Sequence, residues 1–198
     1  MVSKLRILAA SIVLACTAPT ASATVLTFDD LGPGTAFFLS NYNGFMFGTN
    51  NISDTVWFHT DQASTFYTPH SGTVYIATDF QSYNGLPFED AQPISNSTPF
   101  MFDGAWFSGG DQVFYKLYLG NSLVFTSPVS PVLTSIPTFV SSGYAGLVDS
   151  VVVVGPQGFY ALDDFTFNTL AVPEPSTYAM MVAGLVGMGA IMRRRSRG

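Results

Sequence analysis

Ten short segments rich in Val, Phe, Tyr and Thr recur between residues 24 and 167, and Gly, Pro, Asn or Ser separates each from the next. Segments of this kind predict β-strands. Side chains alternate within several of them, so that Val74 and Ile76 share one face while Thr73 and Tyr75 share the other. No segment of this region carries the apolar stripe of an amphipathic helix. The predicted strands cover residues 24–28, 44–47, 56–59, 72–78, 100–107, 112–119, 123–126, 138–141, 150–154 and 160–167.

Many short strands at this spacing favour an antiparallel β-sandwich, and we predict an all-β, jelly-roll-like domain over residues 24–171. The dipeptide Gly120-Asn121 lies between two of the predicted strands and indicates a tight hairpin turn. A β-propeller is disfavoured because no blade motif repeats along the chain. The region is long enough for one domain and short for two.

The charges of this region are almost all negative. Lys116 is its only Lys or Arg, whereas twelve Asp and Glu residues lie between residues 24 and 171. Such a surface repels polyphosphate, which argues against nucleic acid as a partner. Its polarity comes mainly from Ser, Thr, Asn, Gln and Tyr, which suits a secreted protein in contact with neutral sugars.

The N-terminus has the three parts of a secretory signal peptide. The basic region, the apolar run and the small-residue cleavage site are Lys4 with Arg6, residues 7–15, and Ala21-Ser22-Ala23. We therefore predict a signal helix over residues 1–23, recognised by the Sec machinery and removed by signal peptidase. Lipoprotein cleavage before Cys16 is the alternative. With ordinary cleavage the mature domain has no cysteine, and its stability comes from its core rather than from disulfides.

The C-terminus has the organisation of a sorting signal. Its parts are the motif Val172-Pro173-Glu174-Pro175, an uncharged run over residues 178–192, and the basic stretch Arg193-Arg194-Arg195. The prolines keep the motif extended and accessible to a processing enzyme. As a helix the uncharged run is roughly 22 Å long, and it spans a hydrocarbon core of ~30 Å if the arginines snorkel at one interface. We predict a single transmembrane helix here, because the alternative, a buried core helix, would be amphipathic.

These three parts in this order resemble the PEP-CTERM sorting domain. The resemblance covers residues 172–198, divided into the motif (172–177), the span (178–192) and the basic tail (193–198). It implies an exosortase-type membrane processing enzyme as partner, in a Gram-negative bacterium that makes exopolysaccharide. It also implies that the chain is transiently membrane-anchored, loses its tail, and ends at the cell surface or in the extracellular matrix.

The two ends of the β-rich region are near mirror images. The region opens with Leu26-Thr27-Phe28-Asp29-Asp30 and closes with Leu162-Asp163-Asp164-Phe165-Thr166-Phe167. If the first and last strands pair antiparallel, Phe28 faces Phe165, and Asp29 and Asp30 lie beside Asp164 and Asp163. Four adjacent carboxylates repel one another unless a cation lies between them, and Ca²⁺ is the ion that prefers such ligands. We therefore predict a structural calcium site; the alternative is that these aspartates end strands in solvent.

Several aromatic residues are candidates for stacking on sugars. The predicted ligand contacts are Tyr67 and His70, which flank a Thr68-Pro69 bend, and Tyr83 with Asn84 at a loop tip. Trp57, Trp106 and Tyr144 carry rings of the same kind, although such rings also fill cores.

Catalysis has little support in the sequence. His59 and His70 are the only histidines, and no nucleophile elbow, zinc motif or phosphate loop is present. Glu89 with Asp103 is the carboxylate pair considered for glycoside hydrolysis, but many aspartates make such pairs common. We predict a protein that is not an enzyme and has no catalytic residue.

The domain itself also resembles other exported PEP-CTERM proteins. The residues that carry this resemblance are Phe28-Asp29-Asp30, Tyr42-Asn43-Gly44-Phe45, Ser71-Gly72-Thr73-Val74, residues 143–149 and Asp163-Asp164-Phe165-Thr166-Phe167. It implies a β-sandwich similar to carbohydrate-binding modules. The sequence thus predicts an exported binding or scaffolding module associated with exopolysaccharide. A secreted glycoside hydrolase and a self-assembling surface protein without ligand are the alternatives.

Overall fold

The computed structural model describes residues 23–34, 37–48, 56–62, 64–78, 89–156, 158–169 and 175–195. The chain divides into a β-domain, Ala21–Leu170, and a second unit that contains the C-terminal helix. Residues 1–22 of the predicted signal peptide and residues 172–174 of the predicted sorting motif lie outside the described residues.

Within the described residues, the β-domain contains thirteen strands joined by antiparallel pairing. In chain order they are β1 (Thr24–Leu26), β2 (Phe37–Phe38), β3 (Asn41–Tyr42), β4 (Phe45–Phe47), β5 (Trp57–Thr60), β6 (Tyr75–Thr78), β7 (Glu89–Asp90), β8 (Ile94–Gly109), β9 (Phe114–Leu119), β10 (Ser122–Thr126), β11 (Thr138–Ser141), β12 (Leu147–Gly155) and β13 (Tyr160–Thr169).

The prediction of an antiparallel all-β domain is confirmed, and each of the ten predicted segments overlaps an observed strand. The strands that the sequence missed are β2, β3 and β7. Each has two residues, which is too short to show the alternation that marks a strand. The finer prediction of a jelly-roll sandwich stays a prediction.

The long strand β8 changes partners along its 16 residues. Its first half pairs with β4 and β12, and its second half pairs with β11 and β13. The main path of hydrogen-bonded neighbours is β10-β9-β12-β8-β13-β6-β5-β2. Strand β8 therefore lies between β12 and β13 and connects the β10-β9-β12 part of the path to the β13-β6-β5-β2 part.

Two hairpin turns depend on residues with left-handed backbone conformation. Asn43 and Gly44 join β3 to β4 with φ of 47° and 83°, and Gly120 and Asn121 join β9 to β10 with φ of 57° and 65°. Positive φ at both central residues defines the type I′ turn, whose twist matches that of paired strands. The hairpin predicted at Gly120-Asn121 is confirmed.

Aromatic rings fill the core between these strands. Phe102 of β8 stacks on Phe165 of β13 at 4.6 Å between ring centroids, and it contacts Tyr115 of β9 edge-on at 5.0 Å. The buried hydroxyl of Tyr115 donates to the carbonyl of Val140 at 2.8 Å, so its burial leaves no unmet donor. Burial of each such ring contributes about 1.5–3 kcal/mol. Side chains of β8, β13 and β9 thus pack together in the larger of two buried clusters.

The first and last strands pair antiparallel, as predicted, but in a different register. Leu26, not Phe28, lies opposite Phe165. The strand ends at Leu26 because Phe28 has a φ of 62°, which turns the chain into a short 3₁₀ turn over Asp29–Leu31. Phe28 is fully buried and packs on Tyr42 and Phe47 instead.

The C-terminal segment forms one helix, α1 (Pro175–Arg195). It begins at a proline, a residue favoured at the first helical position, and it includes the three predicted arginines. Among the described residues, no helix is both long enough and apolar enough to cross a membrane. The prediction that residues 178–192 span a membrane is therefore not supported.

Candidate functional site

A β-bulge in β13 brings two neighbouring carboxylates to the same side of the sheet. The pairing of β13 with β8 shifts between Asp163 and Thr166, and Asp164 has a φ of 46°. Successive side chains of a regular strand point to opposite faces, but a bulge re-aims one of them. Asp163 and Asp164 are both buried, and both contact the same distant loop.

That loop, residues 67–74, is here called the anchored loop. The backbone amides of His70 and Ser71 donate to Oδ2 of Asp163 at 2.7 and 2.9 Å. The hydroxyl of Ser71 donates to Oδ1 of Asp164 at 2.7 Å, and Nδ1 of His70 lies 2.5 Å from Oδ2 of Asp164. An ionised carboxylate only accepts hydrogen bonds, so this contact assigns the proton to Nδ1. Two carboxylates thus fix the backbone and the side chains of two loop residues.

Further side chains hold both ends of the anchored loop. Ser108 accepts a hydrogen bond from the amide of Thr68 at 2.9 Å and donates one to the carbonyl of Thr68 at 2.8 Å. At the other end, Oδ1 of Asp29 accepts hydrogen bonds from the amides of Thr73 and Val74 at 3.1 and 3.4 Å. Gly72 lies directly against this carboxylate with a φ of 49°, and an added Cβ would stand 1.8 Å from Oδ1 of Asp29. A side chain at that position would displace the carboxylate of Asp29 from its hydrogen bonds to the loop.

The four predicted calcium ligands therefore have other partners in the structure. Asp163, Asp164 and Asp29 accept hydrogen bonds from the anchored loop, and Asp30 accepts one from the hydroxyl of Tyr42. Among the described residues, no group of three or more His, Cys, Asp or Glu side chains is arranged to hold a metal ion. Calcium binding stays a prediction, without an assembled site.

The burial of Asp163 makes the stability of the domain depend on pH. Burial raises the pKa of Asp163 from its usual value of 3.8 to about 7, and the charge of Asp164 adds to this, while the amides of Ser71, Asp164 and His70 oppose it. Because the folded pKa lies above the unfolded one, folding favours protonated Asp163, and the part of the stability that depends on this proton is complete below about pH 4 and is lost as the pH rises through 7. We expect the free energy of unfolding to fall by up to about 1.4 kcal/mol per pH unit in this window through this group.

Denaturant unfolding at pH 5 and pH 8 measures this dependence, with Asp163→Asn as the variant that cannot titrate. His59 acts in the opposite direction, because burial lowers its pKa from 6.5. Because both proteins contain His59, its contribution cancels when the pH dependence of the variant is subtracted from that of the wild type. Equal pH dependence in the two proteins would show that Asp163 is not the responsible group.

The anchored loop places His70 on an aromatic row that crosses three elements, here called the aromatic platform. The ring of His70 stacks on Trp106 of β8 with 3.5 Å between centroids and 11° between planes. Trp106 in turn contacts Phe139 of β11 edge-on at 5.7 Å, since these two residues are register partners. The side chain of His70 is 37% exposed and Phe139 is 40% exposed, so the platform is open at both ends.

A cleft of about 430 Å³ adjoins the platform and shares Phe139 with it. Its other lining residues are Met101 and Asp103 of β8, Ser141 of β11 and residues 142–145 of the following loop. The cleft thus combines apolar rings with backbone, hydroxyl and carboxylate groups, which is the composition of sites that bind small polar ligands.

One stacked ring pair and one hydrogen bond fix the shape of this cleft. The ring of Tyr144 stacks on Phe125 with 5.2 Å between centroids and 21° between planes. The hydroxyl of Ser142 donates to the carbonyl of Phe102 at 2.5 Å, which ties the loop to β8. Rigid aromatic walls lose little conformational entropy when a ligand binds.

The other predicted site residues lie elsewhere. Tyr67 is half-buried, its hydroxyl donates to the carbonyl of Gly158, and burial raises its pKa to about 12. Tyr83 and Asn84 lie outside the described residues. Of the proposed hydrolytic pair, Glu89 lies in β7 beside β12, whereas Asp103 lies in the part of β8 beside β11 and β13. The two residues are therefore not on neighbouring strands.

The sequence did not predict that Phe139, Asp103 and the loop 142–145 lie together in one site. Trp106 and Tyr144 were considered as sugar-stacking rings, but singly. Trp106 faces outward because β8 has an irregularity at Gly104, whose φ is 147°. In a regular strand, Asp103 and Trp106 would point to opposite faces of the sheet because they are three residues apart. The irregularity allows both side chains to face outward. The glycine inside this strand segment is the local signal that could have indicated the shift.

Comparison with known proteins identifies the C-terminal segment. Residues 171–196 match the PEP-CTERM protein-sorting motif. This match confirms the predicted sorting signal and indicates an exported protein targeted to an exosortase, processed at a membrane, and delivered to the cell surface or outside. No curated protein and no solved structure matches the chain. The predicted resemblance of the β-domain to carbohydrate-binding modules therefore has no support from relatives.

Proposed function

We propose that the exported domain is a non-catalytic module that binds exopolysaccharide through the cleft and the aromatic platform. The observation that carries this proposal is the row His70–Trp106–Phe139 beside a cleft that is also lined by polar groups. Sugar rings present one apolar face and a rim of hydroxyls, so they are bound by rings that stack and by groups that accept or donate hydrogen bonds. A jelly-roll-like sandwich, as predicted from the sequence, would present such a face on the outside of one layer.

The way the anchored loop is held supports a ligand-binding role. Asp164 has a backbone conformation that is unfavourable for a residue with a side chain, and such strain collects at functional sites. Here the strained residue orients His70, the exposed end of the platform. Export to the cell surface or outside supports a role in binding extracellular polysaccharide.

We expect Phe139→Ala to weaken polysaccharide binding by about tenfold, which corresponds to about 1.4 kcal/mol for one stacking ring. Phe37→Ala is the matched control, because Phe37 is 53% exposed on β2, away from the cleft. A glycan array identifies the ligand and titration gives the affinities. Equal affinity in the two variants would contradict a site at Phe139.

Measurements of reducing-end release and of self-association, made alongside the titration, separate the competing functions. A glycoside hydrolase would release reducing ends from the bound glycan, which a binding module does not. A self-assembling surface protein would associate with rising concentration and bind no glycan. Binding without turnover and without assembly is the outcome that the proposal requires.

A further inference from the structure

The cleft carries one formal charge, and it is negative. Asp103 is the charged residue among its lining residues. Oδ2 of Asp103 accepts a hydrogen bond from the side-chain amide of Asn168 at 2.6 Å. Oδ1 accepts no hydrogen bond from the described residues, so it is open to a donor in the cleft.

The walls beside this carboxylate are aromatic. Phe139 and Tyr144 both line the cleft that contains Asp103. Ring faces attract cations, and a carboxylate strengthens a hydrogen bond whose donor is an ammonium group. The combination of a carboxylate with two rings favours a positively charged donor over a neutral hydroxyl.

The domain has few cationic side chains that could bind an anion. Lys116 is the only Lys or Arg between residues 24 and 171. It lies on β9, and its Nζ contacts both carboxylate oxygens of Asp90 at 2.7 and 2.9 Å. A glycan rich in carboxylates or sulfates would meet Asp103 and the surrounding acidic surface without a compensating cation in the cleft.

We infer that the cleft selects a polysaccharide with free amino groups, namely a hexosamine polymer that has lost part of its acetyl groups. This inference rests on the proposed function and names the class of ligand for the same site. The ammonium group of one sugar residue binds Oδ1 of Asp103. Neighbouring sugar rings lie against Phe139 and continue along the aromatic platform.

Titration of the intact exported domain with oligosaccharides of equal length tests this inference. The probes are a glucosamine oligomer, its fully N-acetylated form and an oligogalacturonate, at a pH where the amines are protonated. We expect the free-amine oligomer to bind at least tenfold more tightly than the acetylated one, and the oligogalacturonate to bind most weakly. We expect Asp103→Asn to remove this preference, with a loss of about tenfold for the free-amine oligomer.

Asp149→Asn is the control for general attraction between a cationic oligomer and an acidic protein. Asp149 lies in a separate depression with Tyr118 and Asn121, so its replacement should leave the affinity unchanged. Thermal melting confirms that both variants are folded. Equal binding of acetylated and free-amine oligomers, or equal losses in the two variants, would overturn the amine preference and leave the proposed function standing. Absence of binding to every glycan on an array would overturn both.

Discussion

Replacing Asp163 with alanine is expected to lower the free energy of unfolding by about 4 kcal/mol. Asp163 is 3% exposed and accepts hydrogen bonds from the backbone amides of His70, Ser71 and Asp164. Each buried donor left without an acceptor costs about 1–3 kcal/mol. Part of the anchored loop is exposed to solvent, so the total cost of the three unpaired amides is smaller than the sum of three fully buried ones. Denaturant unfolding of the exported domain measures the loss.

Asp90→Ala is the matched control, because it removes the same carboxylate from an exposed ion pair with Lys116. Exposed pairs contribute about 0–1 kcal/mol. A second readout follows the anchored loop itself, since loosening it separates His70 from Trp106 and changes tryptophan fluorescence before global unfolding. Similar losses in both variants, with an unchanged native emission spectrum, would show that the anchored loop does not depend on Asp163.

Replacing Pro173 and Glu174 together with alanine is expected to abolish C-terminal processing. These residues lie within the matched sorting motif, residues 171–196. The variant lacks Glu174, the motif's charged side chain, and it lacks Pro173, which together with Pro175 biases the motif toward extended backbone. A processing enzyme that takes an extended strand would then lose its substrate. Mass spectrometry in a host with an exosortase should find the variant retaining its C-terminal segment, whereas the wild type ends near the motif.

The double variant Pro131→Ala/Glu89→Ala carries the same two residue changes within the β-domain and should be processed normally. A host without the exosortase should leave the wild type unprocessed as well. Recovery of the same shortened mass from the motif variant and from the wild type would show that these two residues are not the recognition element.

The strands could be predicted from the sequence because their signal is local. In β9, Tyr115 and Leu117 are buried while Lys116 and Tyr118 are partly exposed, which is the alternation that the sequence shows. The hairpin at Gly120 is marked by its own turn residues. Strands of two residues, such as β2, have no such signal and depend on their partners.

The site could not be predicted in the same way, because its residues come together through long-range contacts. His70 and Asp164 are 94 residues apart in sequence. The antiparallel pairing of the first and last strands followed from the mirror-image pattern, but its register and the partners of the nearby carboxylates did not. Backbone amides of the anchored loop donate hydrogen bonds to Asp163 and Asp29, two of the four aspartates from which the calcium site was predicted. Those amides have no signature in the sequence.

Strand β13 joins the domain at its middle, beside β8, β6 and β1, and it also supplies the carboxylates that hold the anchored loop. It is the last strand of the described domain and ends at Thr169, next to the matched segment that begins at residue 171. When the chain is exported from its N-terminus, the sheet therefore cannot be completed until β13, near the end of the chain, has crossed the membrane. Closure of the domain and arrival of the sorting motif outside the cell become nearly simultaneous events.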